Sequence, residues 1–121
     1  MSELKNSIEA VEAGYEYMLA YAAQGLEANQ SGAHEEELRG HLTAMVAALT
    51  SLPGEVNAAV STDTASTFLE AVAADCAHAQ GAIQLVLTKQ GISSQLIDNL
   101  NASSHLRAVL TDLFLIDEAL K

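Results

Sequence analysis

The sequence has few of the residues that restrict a fold or mark a ligand site. Its 121 residues include one proline, one cysteine, two phenylalanines and three tyrosines, and tryptophan is absent. The single cysteine, Cys76, excludes the internal disulfide framework on which many small secreted domains depend. With so few aromatic rings, an aromatic cage around a small molecule is not expected. The sequence indicates no cofactor.

Long apolar runs and basic residues are also scarce. No apolar run approaches the ~20 residues that a membrane-spanning helix needs, and no signal peptide opens the chain. Lysine and arginine total 5 against 16 acidic residues, which gives a net charge of −11. Because nucleic acids and anionic membranes bind basic side chains, neither is an expected partner. We expect a cytoplasmic protein.

The residues that are abundant favour helices. The chain contains 22 alanines and 17 leucines, both strong helix formers, and shows no sustained period-two alternation typical of strands. Apolar residues recur at three- and four-residue intervals in four stretches joined by short connections. This pattern predicts an all-α fold, an antiparallel four-helix bundle with an interrupted fourth helix, in one domain over residues 1–121. A hairpin that completes its bundle by dimerising is the alternative.

Turn signals and apolar spacing set the predicted bounds. Pro53-Gly54 is expected to end the second helix, and Ser61, Thr62 or Asp63 to cap the third. The predicted helices cover about Glu3–Asn29, His34–Leu52, 64–90, Ser94–Leu100 and Ser104 to the end of the chain. The expected core residues are Leu4, Ile8, Val11, Tyr15, Met18, Ala22, Leu38, Leu42, Met45, Leu49, Leu52, Ala65, Leu69, Val72, Cys76, Ala79, Ile83, Val86, Leu106, Val109, Leu113, Ile116 and Leu120. Asp117 also falls in the last apolar stripe, and we expect it to reach water where the final turn frays rather than pair with Lys5.

Two helices carry small residues opposite their apolar stripes. On the first helix the face that should meet water carries small residues and tyrosines, which are common in interfaces between helices. The predicted interface residues are Ala10, Ala13, Gly14, Tyr17 and Tyr21. On the third helix the corresponding residues are Thr67, Ala71, Ala74, His78, Ala82 and Leu85. Both faces favour self-association, and an ordinary alanine-rich exposed surface is the alternative.

Acidic residues cluster on the first helix and at the start of the second. The predicted acidic patch comprises Glu9, Glu12, Glu16, Glu35 and Glu36. Such a patch attracts a basic partner. The sequence therefore predicts a non-catalytic, acidic interaction module that self-associates and serves as an adaptor or chaperone for a basic protein.

Two alternatives place a chemical site on the helices. Glu37 and His41 are four residues apart and Asp75 and His78 three apart, so each pair can chelate a metal ion from one helical face. The string His78-Ala79-Gln80-Gly81 resembles the His-x-x-Lys-Gly motif of histidine phosphotransfer domains, although it is one residue shorter and lacks the lysine. That resemblance implies phosphotransfer at His78. The sequence contains no nucleophile motif and no glycine-rich phosphate loop, so we expect no enzyme.

Overall fold

Five helices form the fold, and the predicted all-α class is confirmed. The computed structural model describes residues 2–60 and 62–120, and it describes their side chains except those of Ser2 and residues 62–64. The helices are α1 (Ser2–Ala23), α2 (Gly32–Ala59), α3 (Thr62–Leu87), α4 (Ser94–Ala102) and α5 (Ser104–Ala119). Within the described ranges no residue is in a strand, and no helix there is both long and apolar enough to cross a membrane.

The core lies between the helices, along the predicted apolar stripes. α1 packs against α2 and α4, α2 packs against α3, and α3 packs against α5. The predicted core residues that are buried are Leu4, Ile8, Val11, Met18, Leu38, Leu42, Met45, Leu49, Leu52, Val72, Cys76, Ala79, Ile83, Val86, Leu106, Val109, Leu113 and Ile116. The others are partly buried: Tyr15, Ala22, Ala65, Leu69 and Leu120. Asp117 is exposed, as expected.

The first helix is shorter than the sequence predicts. It ends at Ala23 rather than near Asn29, because Gly25 adopts a left-handed backbone conformation with φ of 65°. The next residue, Leu26, donates its backbone N–H to Ser94 Oγ at 2.8 Å and accepts the Ser94 N–H at 2.9 Å. Contact with the start of α4 thus replaces further helical hydrogen bonds.

The second helix is longer than predicted, and the expectation that Pro53-Gly54 ends it is wrong. α2 continues through Pro53 to Ala59, into the stretch 55–63 that we expected to be a connector. Proline suits the helical φ angle, but its missing N–H and its ring cost about 3 kcal/mol inside a helix. Leu52 and Val56 flank it and are fully buried. Burying each of these side chains contributes about 1.5–3 kcal/mol, which offsets the cost.

The remaining helix bounds lie close to the predicted ones. α3 covers Thr62–Leu87 instead of 64–90, and its predicted cap lies outside the side chains that the structure describes. α4 and α5 begin at the predicted residues, and a single residue separates them. That residue, Ser103, has extended backbone angles and accepts the Leu106 N–H on its Oγ at 3.3 Å. It therefore caps α5 in the way expected for a serine.

Candidate functional site

The predicted interface on α1 lies largely within the protein. Tyr21, expected to face solvent, is 0% exposed and donates its hydroxyl to the Ile92 carbonyl oxygen at 2.5 Å. Gly14 is buried, and a Cβ there would lie only 2.3 Å from Met45 Sδ on α2. Ala10 is partly buried against the core, whereas Ala13 is exposed. The assignment of Gly14 and Tyr21 to an interface between subunits is therefore corrected, since these residues pack inside one chain.

Tyr17 joins this same contact between α1 and α2. Its ring stacks on His41 with centroids 4.6 Å apart, and its hydroxyl donates to Glu37 Oε1 at 3.0 Å. Partial burial, followed by the neighbouring Glu37 carboxylate, raises the pKa of Tyr17 to about 12. The first predicted metal pair, Glu37 and His41, is thus in contact with a tyrosine.

Glu35, predicted to belong to the acidic patch, instead joins three segments of the chain. Its Oε1 accepts the Ser31 hydroxyl at 2.5 Å and the Ile92 N–H at 2.8 Å. Its Oε2 pairs with Arg39 Nε at 2.9 Å, and Arg39 also donates to the carbonyl oxygens of Leu87 and Lys89. Burial alone would raise the pKa of Glu35, but these hydrogen bonds outweigh it and lower the pKa. This carboxylate stabilises the contact between the three segments, so its oxygens are not available to a binding partner.

The rest of the predicted acidic patch is open to solvent. Glu9, Glu16 and Glu36 are exposed, and Glu12 is partly exposed. Glu9, Glu12 and Glu16 lie at three- and four-residue spacings, so they form one stripe along α1. None of these three has an ion-pair partner among the described residues. We call Glu9, Glu12 and Glu16 the acidic stripe.

The second predicted small-residue face, on α3, does meet solvent. We call its six residues the outer face of α3: Thr67, Ala71, Ala74, His78, Ala82 and Leu85. All are exposed except Ala82, which is partly buried, and the Leu85 side chain is 71% exposed. Burying this leucine against a second surface would contribute about 1.5–3 kcal/mol. None of the six residues is an Asp, Glu, Lys or Arg.

A pair of carboxyl groups connects α3 to α5, and the sequence reasoning missed it. Asp112 on α5 is only 8% exposed, and its carboxyl group lies beside that of Asp75 on α3. Burial, and then the neighbouring Asp75, raise the pKa of Asp112 to about 7. Cys76 is buried beside them, and burial, with these two carboxyl groups, raises its thiol pKa to about 11. The thiol is therefore un-ionised at neutral pH, and its burial agrees with the predicted core position of Cys76.

A signal for Asp112 was present in the helical spacing. It follows the core residue Val109 by three positions and precedes Ile116 by four, so it borders the apolar stripe of α5. The spacing places Asp117 in this stripe, whereas Asp112 is the carboxyl group that is buried. The partner on α3 could not be read from the sequence, because it depends on how the two helices are aligned.

The histidine of the second alternative lies near this pair. His78 is exposed and contacts His105 edge-on, with ring centroids 5.8 Å apart. The phosphotransfer alternative needs an exposed histidine, but the carboxyl groups one turn away would repel a phosphoryl group. Within residues 2–60 and 62–120, no group of three His, Cys, Asp or Glu side chains is arranged to hold a metal ion. The Glu37–His41 and Asp75–His78 pairs thus remain pairs, each in contact with other side chains.

Two clefts on the surface add no further chemistry. One, of about 350 Å³, lies between the end of α1 and the start of α4, next to Leu26 and Ser94. The other, of about 260 Å³, lies between Glu3 and Glu55. Ser93 and Ser94 line the first cleft with Glu27 and Asp98, but both serine hydroxyls are hydrogen-bonded to backbone groups. Comparison of the chain with protein-family models, curated proteins and solved structures finds no match.

Proposed function

We propose that this protein is a non-catalytic interaction module that self-associates through the outer face of α3. One observation carries the proposal: an exposed helix face with small residues and a 71% exposed leucine, Leu85. Small side chains allow a second helix to approach closely, and Leu85 offers apolar area to bury. The corrected positions of Gly14 and Tyr21 remove much of the α1 face, so α3 is the better candidate.

The distribution of charge supports the same face. A second copy of a chain with a net charge of −11 must approach where like charges are fewest. Residues 40–87 contain four of the 16 acidic residues and no lysine or arginine. The outer face of α3 lies within this segment and contains none of the four. Two copies can therefore meet through α3 while their acidic stripes stay apart.

The finer architecture belongs to this proposal as well. We propose that α4 and α5 together occupy the place of the fourth helix in an antiparallel bundle. α4 packs on α1 and α5 packs on α3, and only Ser103 separates the two helices. In this arrangement α3 presents one face to α2 and α5 and leaves its outer face for a second copy.

Sedimentation velocity over a range of protein concentrations tests the self-association. Ala74→Glu and Leu85→Glu each place a charge on the outer face of α3, which should weaken association at least about tenfold. Ala13→Glu is the matched control, because it adds the same charge to an exposed alanine in the middle of α1. A wild-type protein that remains monomeric near millimolar concentration contradicts the proposal. Dissociation by Ala13→Glu alone would instead place the interface on α1.

A second role, binding of a basic partner, is proposed for the acidic stripe. Glu9 and Glu16 are exposed and have no ion-pair partner among the described residues. Binding to a lysine-rich helical peptide should weaken as salt is added and in the double variant Glu9→Gln/Glu16→Gln. The control is Asp98→Asn, which removes an exposed carboxylate from α4. Equal loss in both variants would mean that only net charge matters and would contradict a directed site.

A further inference from the structure

We propose that Asp75 and Asp112 share one proton across the contact between α3 and α5 and form a pH-sensitive clasp for α5. In the closed clasp the protonated carboxyl of Asp112 donates its O–H to the Asp75 carboxylate. When this proton passes to water or buffer, two negative charges face each other across the helix contact. α5 then opens from α3 more often. This inference does not depend on self-association.

The burial of Asp112 is the first argument. The residue is only 8% exposed, and its Oδ2 atom is shielded from solvent without any hydrogen-bond partner. An ionised carboxylate in this position would need a cation or several N–H donors. The structure supplies only another carboxyl group, Asp75. Since two carboxylates in hydrogen-bond contact cannot both be ionised without strong repulsion, the contact itself requires a proton.

Among the groups that surround the pair, the shared proton is the main compensation for the negative charge of the two carboxyl groups. From α3 the neighbouring Cys76 is buried and neutral, and Glu70 is exposed. One turn further along α3 lies the exposed His78, which contacts His105 at the start of α5. α4, which also packs on α5, has Asp98 as its one titratable side chain, and it is exposed. The raised pKa of Asp112 agrees with this geometry.

The position of the pair explains why α5 is the element that responds. α5 packs on α3 and, near its start, on α4. Asp112 lies in the middle of this helix, between the core residues Val109 and Ile116. Repulsion at this point therefore acts on the main contact that holds α5, while α1 and α2 keep their own packing. Local opening of single elements is a normal property of folded proteins, and its frequency follows the local free energy.

The experiment combines a carboxyl ¹³C NMR titration with amide hydrogen exchange of α5, corrected for the intrinsic pH dependence of exchange. In the wild-type protein we expect Asp112 to titrate near neutral pH, at about 7. Opening of α5 should rise by up to about tenfold per pH unit between pH 5 and pH 7 and level off above, as linkage to one proton requires. The titration uses unaltered protein, so it is decisive even where a variant folds poorly.

Asp112→Asn is the central variant. Its amide can donate to Asp75 in the way the protonated carboxyl does, but it cannot lose that proton, so protection of α5 should stay high from pH 5 to pH 8. Two controls should keep the wild-type response: Asp98→Asn, and the pair His78→Gln/His105→Gln. Titration of Asp112 at an ordinary carboxyl pH, or an unchanged pH response in Asp112→Asn, overturns the proposal. A response that disappears in the histidine pair would overturn it too, by assigning the switch to the histidines.

Discussion

At the residue scale, Tyr21 shows why a helix face cannot always be assigned from spacing. The apolar stripe read from the sequence passes through Tyr15 and Ala22, whereas the buried stripe passes through Gly14 and Tyr21. The shift is only one residue, but it brings Tyr17 against α2 and buries Tyr21 against Ile92. Gly14 causes it, because the missing side chain lets Met45 lie where a Cβ would be. A glycine within a helical pattern normally indicates lower helix propensity, but Gly14 instead allows α1 and α2 to pack closely.

Removing the hydroxyl of Tyr21 tests this burial. Tyr21→Phe leaves the Ile92 carbonyl without the donor it has in the folded protein, which should lower the free energy of unfolding by about 1–2 kcal/mol. Tyr17→Phe is the matched control, since the Tyr17 hydroxyl bonds at an exposed position. It should cost about 0.5 kcal/mol or less. Urea unfolding of both variants measures the difference, and equal losses would place Tyr21 at the surface.

A second substitution tests the close approach of α1 and α2. Gly14→Ala places a Cβ 2.3 Å from Met45 Sδ, so the methionine must move within a filled core. We expect a loss of about 1–3 kcal/mol, as for other overpacked cores. Gly40→Ala, on α2, meets no atom within 4 Å and should raise stability by about 0.5–1 kcal/mol through helix propensity alone. Thermal unfolding of the two variants should therefore shift in opposite directions.

At the element scale, the sequence predicts the buried faces better than the helix ends. The predicted residues of the α2 stripe, from Leu38 to Leu52, are all buried, and only Ala48 is added to them in this range. The ends of α1 and α2 depend on contacts between distant parts of the chain. Leu26 pairs with Ser94, and Val56 anchors the turn after Pro53. Gly25 is a local signal for the end of α1 that the predicted bounds passed over, whereas the burial of Val56 beyond Pro53 has no local signal.

The candidate site shows the same division between local and distant information. The exposed outer face of α3, including His78, follows from spacing within one helix. The Asp75–Asp112 pair depends on how α3 and α5 are aligned. The hydrogen bond between Glu35 and Ile92 depends on the loop before α4 lying against α2. A residue's face could thus be predicted, but its partner on another element could not.

Pro53 provides a prediction at this scale. Inside α2 it removes the N–H that would bond to the Leu49 carbonyl, and its ring crowds the preceding turn. Pro53→Ala should therefore stabilise the protein, by about 1–3 kcal/mol after the greater freedom of the unfolded alanine chain is subtracted. Urea unfolding measures the change. A loss of stability would mean that the proline ring, which is partly buried, contributes more through packing than it costs in the helix.

At the scale of the whole molecule, acidic residues are unevenly distributed along the sequence. The acidic stripe of α1 and the exposed Glu36 lie within the first 36 residues, whereas residues 40–87 contain only four of the 16 acidic residues. Repulsion among the exposed carboxylates lowers the stability of the compact state and keeps copies apart. The outer face of α3 contains none of these carboxylates, although Glu70 and Asp75 lie on the same helix. Under the proposed self-association, two copies would meet through this face.

The dependence of stability on pH follows from the two perturbed carboxyl groups. The folded protein holds a proton on Asp112 up to about pH 7, whereas the unfolded chain releases it near 3.8, so stability should fall as the pH rises between these values. The pKa of Glu35 is lowered by folding from 4.5, so its contribution is present above pH 4.5 and is lost in more acidic solution. Unfolding free energy should therefore peak near pH 5 and decline by about 1–3 kcal/mol toward pH 8.

Salt and one variant separate this effect from general repulsion. High salt screens the exposed carboxylates and should raise stability at neutral pH, but it acts weakly on a buried pair. The decline from pH 5 to pH 8 should therefore persist in high salt and shrink in Asp112→Asn, while Asp98→Asn should leave it unchanged. Urea unfolding at each pH provides the measurement. A decline that disappears in high salt, with no effect of Asp112→Asn, would assign the pH dependence to the surface charge and leave Asp112 an ordinary carboxylate.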